Sequence, residues 1–493
     1  MIIKIFWALF LAGFVGIAFY ATWNAELDRS LEKNNLPLKI HKKYFFGGNR
    51  TDTTVWITPI IFPFLMGAFF LISFIEGFMQ GTYRFFDMFL DVVLTMSVYY
   101  ALLLLCLPLL HRFLSARVCA TLWLIPVFLF YQPHLLRDQT SAPFATIYIP
   151  EHFLTSFLYI WAIIFLLLFA GQILSHLHFR HSVLKHSTEI FSDQYLSLFL
   201  AEQDNTGYEA SIRLYHCPIL PSPLSMGMFE KKQAVFLPKL DYTPEELSLI
   251  FSHELHHLQR RDVHTKFFLS FTCAFCWFNP LVWIMARKAS NDLELSCDEI
   301  VLKHADESTR QKYATLLLNT AGSSRGYSTC LSAAASSLRY RLKNVVKPHK
   351  KFVGVFVLST LMFLCVLSYG CLAVTCEKGT LQELLLSPAV TSEDTSLSLY
   401  YNETYENSLD LADTPPELFD YLSSLSIEKI KSYNEWNSYS SYPLLYFSVK
   451  DSKDTFSLDI TDNIISVYNY KTNQYEYYLV RSGVDWDYVE SFY

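Results

Sequence analysis

The chain has 493 residues, of which 52% are hydrophobic and only 17% charged, against roughly 25% charged in an ordinary soluble domain. That excess excludes disorder and most soluble folds. A net charge of −7 gives no general attraction to nucleic-acid phosphates, so no direct nucleic-acid binding is expected. The charge is also uneven, with 20 acidic and 7 basic residues from Glu377 to the end, net −13, which leaves +6 for everything before it. Two compartments explain that split.

In chain order, six stretches are long and apolar enough for membrane helices: residues 5–23, 55–75, 92–110, 118–131, 153–174 and 352–374. The fourth is the shortest charge-free run and contains Pro126. Lys and Arg are retained on the cytoplasmic side of membranes. They fill the first loop (Arg29, Lys33, Lys39, Lys42, Lys43, Arg50), follow the fifth stretch (Arg180, Lys185), and crowd the entrance to the sixth (Arg339, Arg341, Lys343, Lys347, Lys350, Lys351). With six crossings, both termini are expected outside a bacterial plasma membrane. The expected organisation is a five-helix membrane domain (1–175), a cytoplasmic domain (176–351), a sixth helix (352–375) and an external α+β domain (376–493). In the last, 415–425 reads as a helix, while 445–449, 455–460, 464–470 and 475–480 read as strands between turn residues.

The cytoplasmic stretch contains His253-Glu254-Leu255-His256-His257, an H-E-x-x-H match. Thr243-Pro244-Glu245-Glu246 is a helix start, with Thr as cap, Pro at the first helical position and Glu246 closing a capping box. The match therefore sits on a helix. At i and i+4 the imidazoles of His253 and His257 share a face, one turn apart, and can share a zinc ion. Glu254 then lies beside the open position, placed to take a proton from the attacking water and deliver it to the leaving amine. A catalytic zinc needs a third protein ligand. Glu294 and Asp298, again i and i+4, are candidates for ligand and for orienting a ligand imidazole, although paired acids more often mark a solvated helix face.

Between these motifs, residues 267–285 are as apolar as a membrane helix. A full crossing would put Glu294 and His257 on opposite sides of the bilayer. The stretch is therefore expected to enter and return, turning at Asn279-Pro280, because the residue before Pro avoids helical geometry. Cys273, Cys276 and Cys297 read as small packing residues.

An ordered series of motifs resembles the BlaR/MecR-type integral-membrane zinc metallopeptidases, the antirepressor family that includes the β-lactam sensors. The series is Ser222-Pro223-Leu224-Ser225-Met226-Gly227-Met228-Phe229, Ala234-Val235-Phe236-Leu237-Pro238, Pro244-Glu245-Glu246-Leu247, the H-E-x-x-H match followed by Arg260-Arg261-Asp262, Trp277-Phe278-Asn279-Pro280, and Asp292-Leu293-Glu294-Leu295-Ser296-Cys297-Asp298. The resemblance covers roughly residues 210–320. It implies a gluzincin-like α+β protease domain in a multipass α-helical membrane protein, with zinc on His253, His257 and Glu294, Glu254 as base and Asp298 behind a ligand. It also implies that Ala234, Val235 and Phe236 form an edge strand that receives substrate as an added strand.

The tail departs from those sensors. Its nearest matches to acylating-serine motifs, Ser426-Ile427-Glu428-Lys429 and Lys471-Thr472-Asn473, are weak, and about 118 residues are too few for such a domain, so β-lactam acylation is not expected. The reading is a membrane zinc endopeptidase that transmits an external signal, from an unknown ligand, by cleaving a cytoplasmic protein or itself. The family analogy suggests a BlaI/MecI-like transcriptional repressor as substrate. Self-cleavage is expected in the small-residue linker 321–337. The alternatives are a quality-control protease of the HtpX or CAAX-prenyl-protease type and a receptor with an inert protease-like domain.

Overall fold

The computed structural model describes residues 2–33, 78–131, 143–208, 210–229, 232–303, 305–322, 335–346, 351–375, 377–386, 388, 390–401, 409–411, 414–430, 443–449, 456–469 and 474–493. The expected segment 55–75, most of the linker 321–337, and Cys376 lie outside the described residues. The first half holds α1 (Ile2–Lys33), α2 (Phe78–Phe113), α3 (Ala116–Leu122), β1 (Ala145–Tyr148) and α4 (Glu151–Lys185). Next come β2 (Thr188–Glu189), α5 (Asp193–Thr206), β3 (Arg213–His216), β4 (Leu224–Met226), β5 (Ala234–Leu237), α6 (Pro244–Gln259), α7 (Asp262–Phe275), α8 (Pro280–Val301), α9 (Glu307–Gly322) and α10 (Ala335–Val346). Then α11 (Val355–Ser368) and β6 (Leu372–Thr375) lead into the tail.

Three of these helices, α1, α2 and α4, contain runs long and apolar enough to cross a membrane: Lys4–Ala21, Phe89–Phe113 and Ser156–Lys185. The other two described stretches differ from expectation. Residues 118–131 are not one helix: α3 stops at Leu122, and Ile125–Tyr131 is a separate 3-10 turn. Pro126 lacks the amide hydrogen that would continue an α-helix. The broken stretch is buried against α2, where the Tyr100 hydroxyl donates to Trp123 O at 3.2 Å. The sixth stretch is also shorter than 352–374. Helix α11 has 14 residues, about 21 Å at 1.5 Å each, and ends before Gly370, whose φ of 80° suits a helix stop. Leu372–Thr375 then forms β6, paired in parallel with β1.

Contacts order the ends of these helices. Lys4 Nζ at the start of α1 donates to Tyr369 O past the end of α11, and Asp91 in α2 accepts from Val374 N. At the opposite end, Ala116 N donates to Glu299 of α8. Helices α1 and α11 pack closely, since a Cβ on Gly16 would collide with Ser359 Oγ. Helices α7 and α8 form a hairpin that reverses between Phe275 and Pro280. Its tip reaches the middle of the helical layer, where Asn279 Nδ2 donates to Ser97 Oγ at 2.8 Å and Trp161 Nε1 donates to Phe275 O at 2.8 Å.

The small sheet has the order β2-β3-β5-β4. This corrects the expectation for Ala234, Val235 and Phe236. Strand β5 is not an edge, because it pairs in parallel with β3 and antiparallel with β4. All four of its residues are buried, as a continuous apolar run in an interior strand should be. The free edge beside it belongs to β4, Leu224–Met226.

The tail contains an antiparallel eight-stranded sheet. Its strands are β7 (Lys378–Thr380), β8 (Thr395–Tyr400), β9 (Leu409–Leu411), β10 (Ser426–Ile430), β11 (Leu444–Val449), β12 (Phe456–Thr461), β13 (Ile464–Asn469) and β14 (Gln474–Val480), in the order β7-β10-β14-β13-β12-β11-β8-β9. One face packs on α12 (Pro416–Ser424) through Leu418, Phe419 and Leu422, with Leu397 and Leu399 of β8 in the same core. The four strands and the helix read from sequence are all present. Strands β7 to β10 go beyond that reading, although β8 alternates buried and half-buried residues along its length.

Candidate metal centre

Helix α6 starts where its capping box places it: Thr243 Oγ1 accepts from Glu246 N, and Glu246 returns a carboxylate to Thr243 N. Two turns on, His253, Glu254 and His257 are all buried. The helical repeat brings the two Nε2 atoms within 3.1 Å.

The protons on both imidazoles follow from the donors and acceptors around them. After α6, Arg261 takes a left-handed conformation at φ 54°, at a cost of about 1 kcal/mol. This turns the chain so that Asp262 returns to His257, its Oδ2 2.7 Å from Nδ1. A carboxylate only accepts, so His257 donates from Nδ1 and Nε2 is the nitrogen that faces the pocket. At His253 the path has one more member. Tyr313 on α9 donates its hydroxyl to Asp298 Oδ1 at 2.6 Å and stands 3.0 Å from His253 Nδ1. Its single proton is spent on the carboxylate, so it accepts from Nδ1, and again Nε2 is the nitrogen that faces the pocket.

Helix α8 supplies the third group. Glu294 Oε2 lies 3.7 Å from His253 Nε2 and 3.5 Å from His257 Nε2. It is buried with no hydrogen-bond partner, while Oε1 accepts from Lys266 Nζ at 2.9 Å. Two imidazole nitrogens and a carboxylate oxygen thus face one point, with Arg341 Nη1, 3.5 Å from Oε2, as the nearby positive group, an arrangement that a bound cation would stabilise further. Two ligands at ~2.0–2.1 Å from one tetrahedral ion stand ~3.3–3.4 Å apart, and the three measured separations bracket that value. Burial pushes the Glu294 carboxyl up, but Lys266 and the His257 imidazole outweigh it and hold it well below the usual range. Burial works against charge on the imidazoles too, yet the Cys297 thiolate and the Glu294 carboxylate outweigh it and push His253 up to about 9, so without a metal the ring takes a second proton that a metal at Nε2 would displace. The pocket seeks positive charge.

The predicted residues His253, His257 and Glu294 therefore meet, with Glu254 buried on the same helix as the two histidines. Asp298 lies 3.5 Å from His253 Nδ1 and reaches it through Tyr313. Sequence reasoning missed five neighbours. Asp262 had a local signal, standing five residues after His257 in a motif already noted. Cys297 read as packing, but its donor atom and those of His253 and His257 lie within 4.8 Å of one another. Lys266, Tyr313 and Arg341 carried no signal, since each arrives from another element. The strand residues Ala234, Val235 and Phe236 stand one strand back from the outer edge, and Val235 shares a core with Leu247, Ile250 and Phe251 of α6.

Residues 139–345 match the family model described as BlaR1 peptidase M56. The chain is similar to the regulatory protein BlaR1 of Bacillus licheniformis, 30% identical over 148 residues that cover 30% of this chain and 24% of that protein. It is also similar to the methicillin resistance mecR1 protein of Staphylococcus aureus, 27% identical over 115 residues that cover 22% of this chain and 19% of that protein. The protein of the same name from Staphylococcus epidermidis matches at the same identity and coverage. The chain spans about a quarter or less of the length of the curated relatives it matches. A peptidase of this family implies a metal, and the two imidazoles and unpaired carboxylate oxygen fit zinc.

Proposed function

We propose, starting from a chain that belongs over residues 139–345 to the BlaR/MecR-type peptidase family, that it is a membrane zinc endopeptidase that turns an external signal into cleavage of a cytoplasmic regulator. The observation that supports this best is the convergence of His253 Nε2, His257 Nε2 and the unpaired Glu294 Oε2, with Glu254 between the two histidines. When bound, zinc would polarise the scissile carbonyl and make water a better nucleophile near neutral pH. Glu254 takes the proton of the attacking water and returns it to the amine as the C–N bond breaks. Asp262 and Tyr313 hold the two imidazoles with Nε2 inward. The free edge of β4 receives the substrate as an added strand.

The tail reaches the hairpin by two routes. Strand β6 continues α11, and Arg481 donates to Pro143 O and Phe144 O just before β1 and α4. Helix α4 in turn bonds α7 through Gln172 and Ser270. We place the tail outside and the site in the cytoplasm, from the Lys/Arg distribution. The substrate class is a BlaI/MecI-like repressor or the chain itself.

The test is the purified full-length protein and its Glu254→Gln variant, each assayed for zinc content and for cleavage of a repressor encoded beside it. Zinc in both and cleavage by the wild type alone is the expected result; a wild type free of zinc would refute the reading. Cysteines introduced at Ser396 and Ser323, with the native ones removed, should differ in labelling by an impermeant thiol reagent in intact cells.

A further inference from the structure

We propose that Arg341 is a positioning residue: by holding Asp298 at two points it determines, through Tyr313, which nitrogen of His253 carries the proton. The proposal rests on the metal reading above and adds a member to it from outside the matched motifs. Arg341 lies on α10, is buried, and puts Nε 2.7 Å from Asp298 Oδ2 and Nη2 2.7 Å from Asp298 Oδ1. Its Nη1 stands 3.5 Å from Glu294 Oε2. A guanidinium has only donors, in a planar fork that matches both oxygens of one carboxylate. The fork therefore fixes the plane of the Asp298 carboxylate and leaves Oδ1 directed at the Tyr313 hydroxyl.

The rest is proton inventory. With Oδ1 held at 2.6 Å, Tyr313 gives its proton to Asp298 and can only accept at His253 Nδ1. The imidazole proton is then on Nδ1, and Nε2 presents a lone pair to the metal position. Without the fork the carboxylate is free to turn, and the hydroxyl can swing its proton to Nδ1. The imidazole proton then moves to Nε2, the atom 3.1 Å from His257 Nε2, and blocks the place a metal must take. His257 needs no such relay, because Asp262 bonds its Nδ1 directly. His253 is the adjustable ligand.

The position of Arg341 places the relay close to α11 in the chain. Helix α10 is the last element before α11, and the connection is pinned where Lys351 Nζ donates to Glu299 of α8 at 2.7 Å and Phe352 N donates to Phe113 O at 2.8 Å. Arg341 is thus the member of the site nearest in the chain to α11.

The experiment uses the full-length protein in detergent, with zinc affinity measured by competition against a chelator and thermal unfolding of the metal-free protein followed in parallel. Two variants are compared with the wild type: Arg341→Lys, which keeps the charge and loses the fork, and Tyr313→Phe, which loses only the hydroxyl. Asp298 Oδ1, at 3.5 Å from Nδ1, is too distant to replace the hydroxyl as a hydrogen-bond partner. The expected result is zinc affinity ~10- to 100-fold weaker in both, with metal-free unfolding of Tyr313→Phe close to that of the wild type. Wild-type zinc affinity in both variants, or a loss of affinity in Arg341→Lys that merely tracks a lower unfolding temperature while Tyr313→Phe binds normally, overturns the proposal. If Arg341→Lys does not fold, Tyr313→Phe decides alone. A wild type that binds no zinc overturns the metal reading, and this proposal with it.

Discussion

Glu294 in the hairpin and Glu428 in the tail sheet are both buried carboxylates, and their surroundings differ in one respect, the supply of donors. Glu428 accepts from Lys378 Nζ at 2.8 Å on one oxygen, and from Arg481 Nε at 3.0 Å and the Thr146 hydroxyl on the other. Burial pushes its carboxyl up, but these donors outweigh that and lower it. Every acceptor is matched, and the result is a joint between the tail and the segment before α4. Glu294 has one oxygen matched by Lys266 and one without a hydrogen bond, facing the two Nε2 atoms with Arg341 Nη1 3.5 Å away. A buried acid with enough donors is structural; one with a deficit, beside other acceptors, is a place for a cation.

The largest expected effect that tests this contrast is on catalysis. Glu254→Gln should lower cleavage ~100- to 10,000-fold, the usual contribution of a general acid–base group, while retaining zinc. Rates and metal content measured on one preparation would show it; equal loss of both would make Glu254 a ligand or a folding residue. Next, Asp262→Asn should weaken zinc ~10- to 100-fold, because an amide can present its donor to His257 Nδ1 and reverse the imidazole. Chelator competition reads this directly.

The matching change in the tail should leave zinc alone. Glu428→Gln is expected to destabilise the joint by about 1–3 kcal/mol, since it leaves Lys378 and Arg481 short of a partner, with unchanged zinc affinity. Unfolding and metal titration of the same sample separate the two effects. A change in zinc affinity would mean that the two regions are not independent.

The smallest effect concerns Asp459 of β12, where burial pushes the carboxyl up to about 6. The folded tail then holds a proton that the unfolded chain releases near pH ~4. Stability from this group is present below that pH and is lost as pH rises through 6. Asp459→Asn should remove the loss and raise stability above pH 6 by about 1 kcal/mol, allowing for partial exposure. Urea midpoints well below and well above pH 6 test it; a variant whose pH dependence equals that of the wild type would assign the drift elsewhere.

What could be read from sequence was what one element encodes by itself. The repeat of a helix puts His253 and His257 on one face and Glu294 and Asp298 on another, Thr243 and Glu246 cap α6, and alternation marks the strands of the tail. These depend on neighbours three or four residues away, so a linear pattern contains them. Which edge of the small sheet is free depends on the order β2-β3-β5-β4, and no strand states its own place in that order. The breaks at 118–131 and after Ser368, where continuous spans were expected, came only from the tertiary structure, although Pro126 and Gly370 stand at them. Tyr313 and Arg341 lie 60 and 88 positions from His253, on helices whose own patterns are ordinary. Only packing brings their hydroxyl and guanidinium to Asp298, because a buried charge must find its partners wherever in the chain they lie.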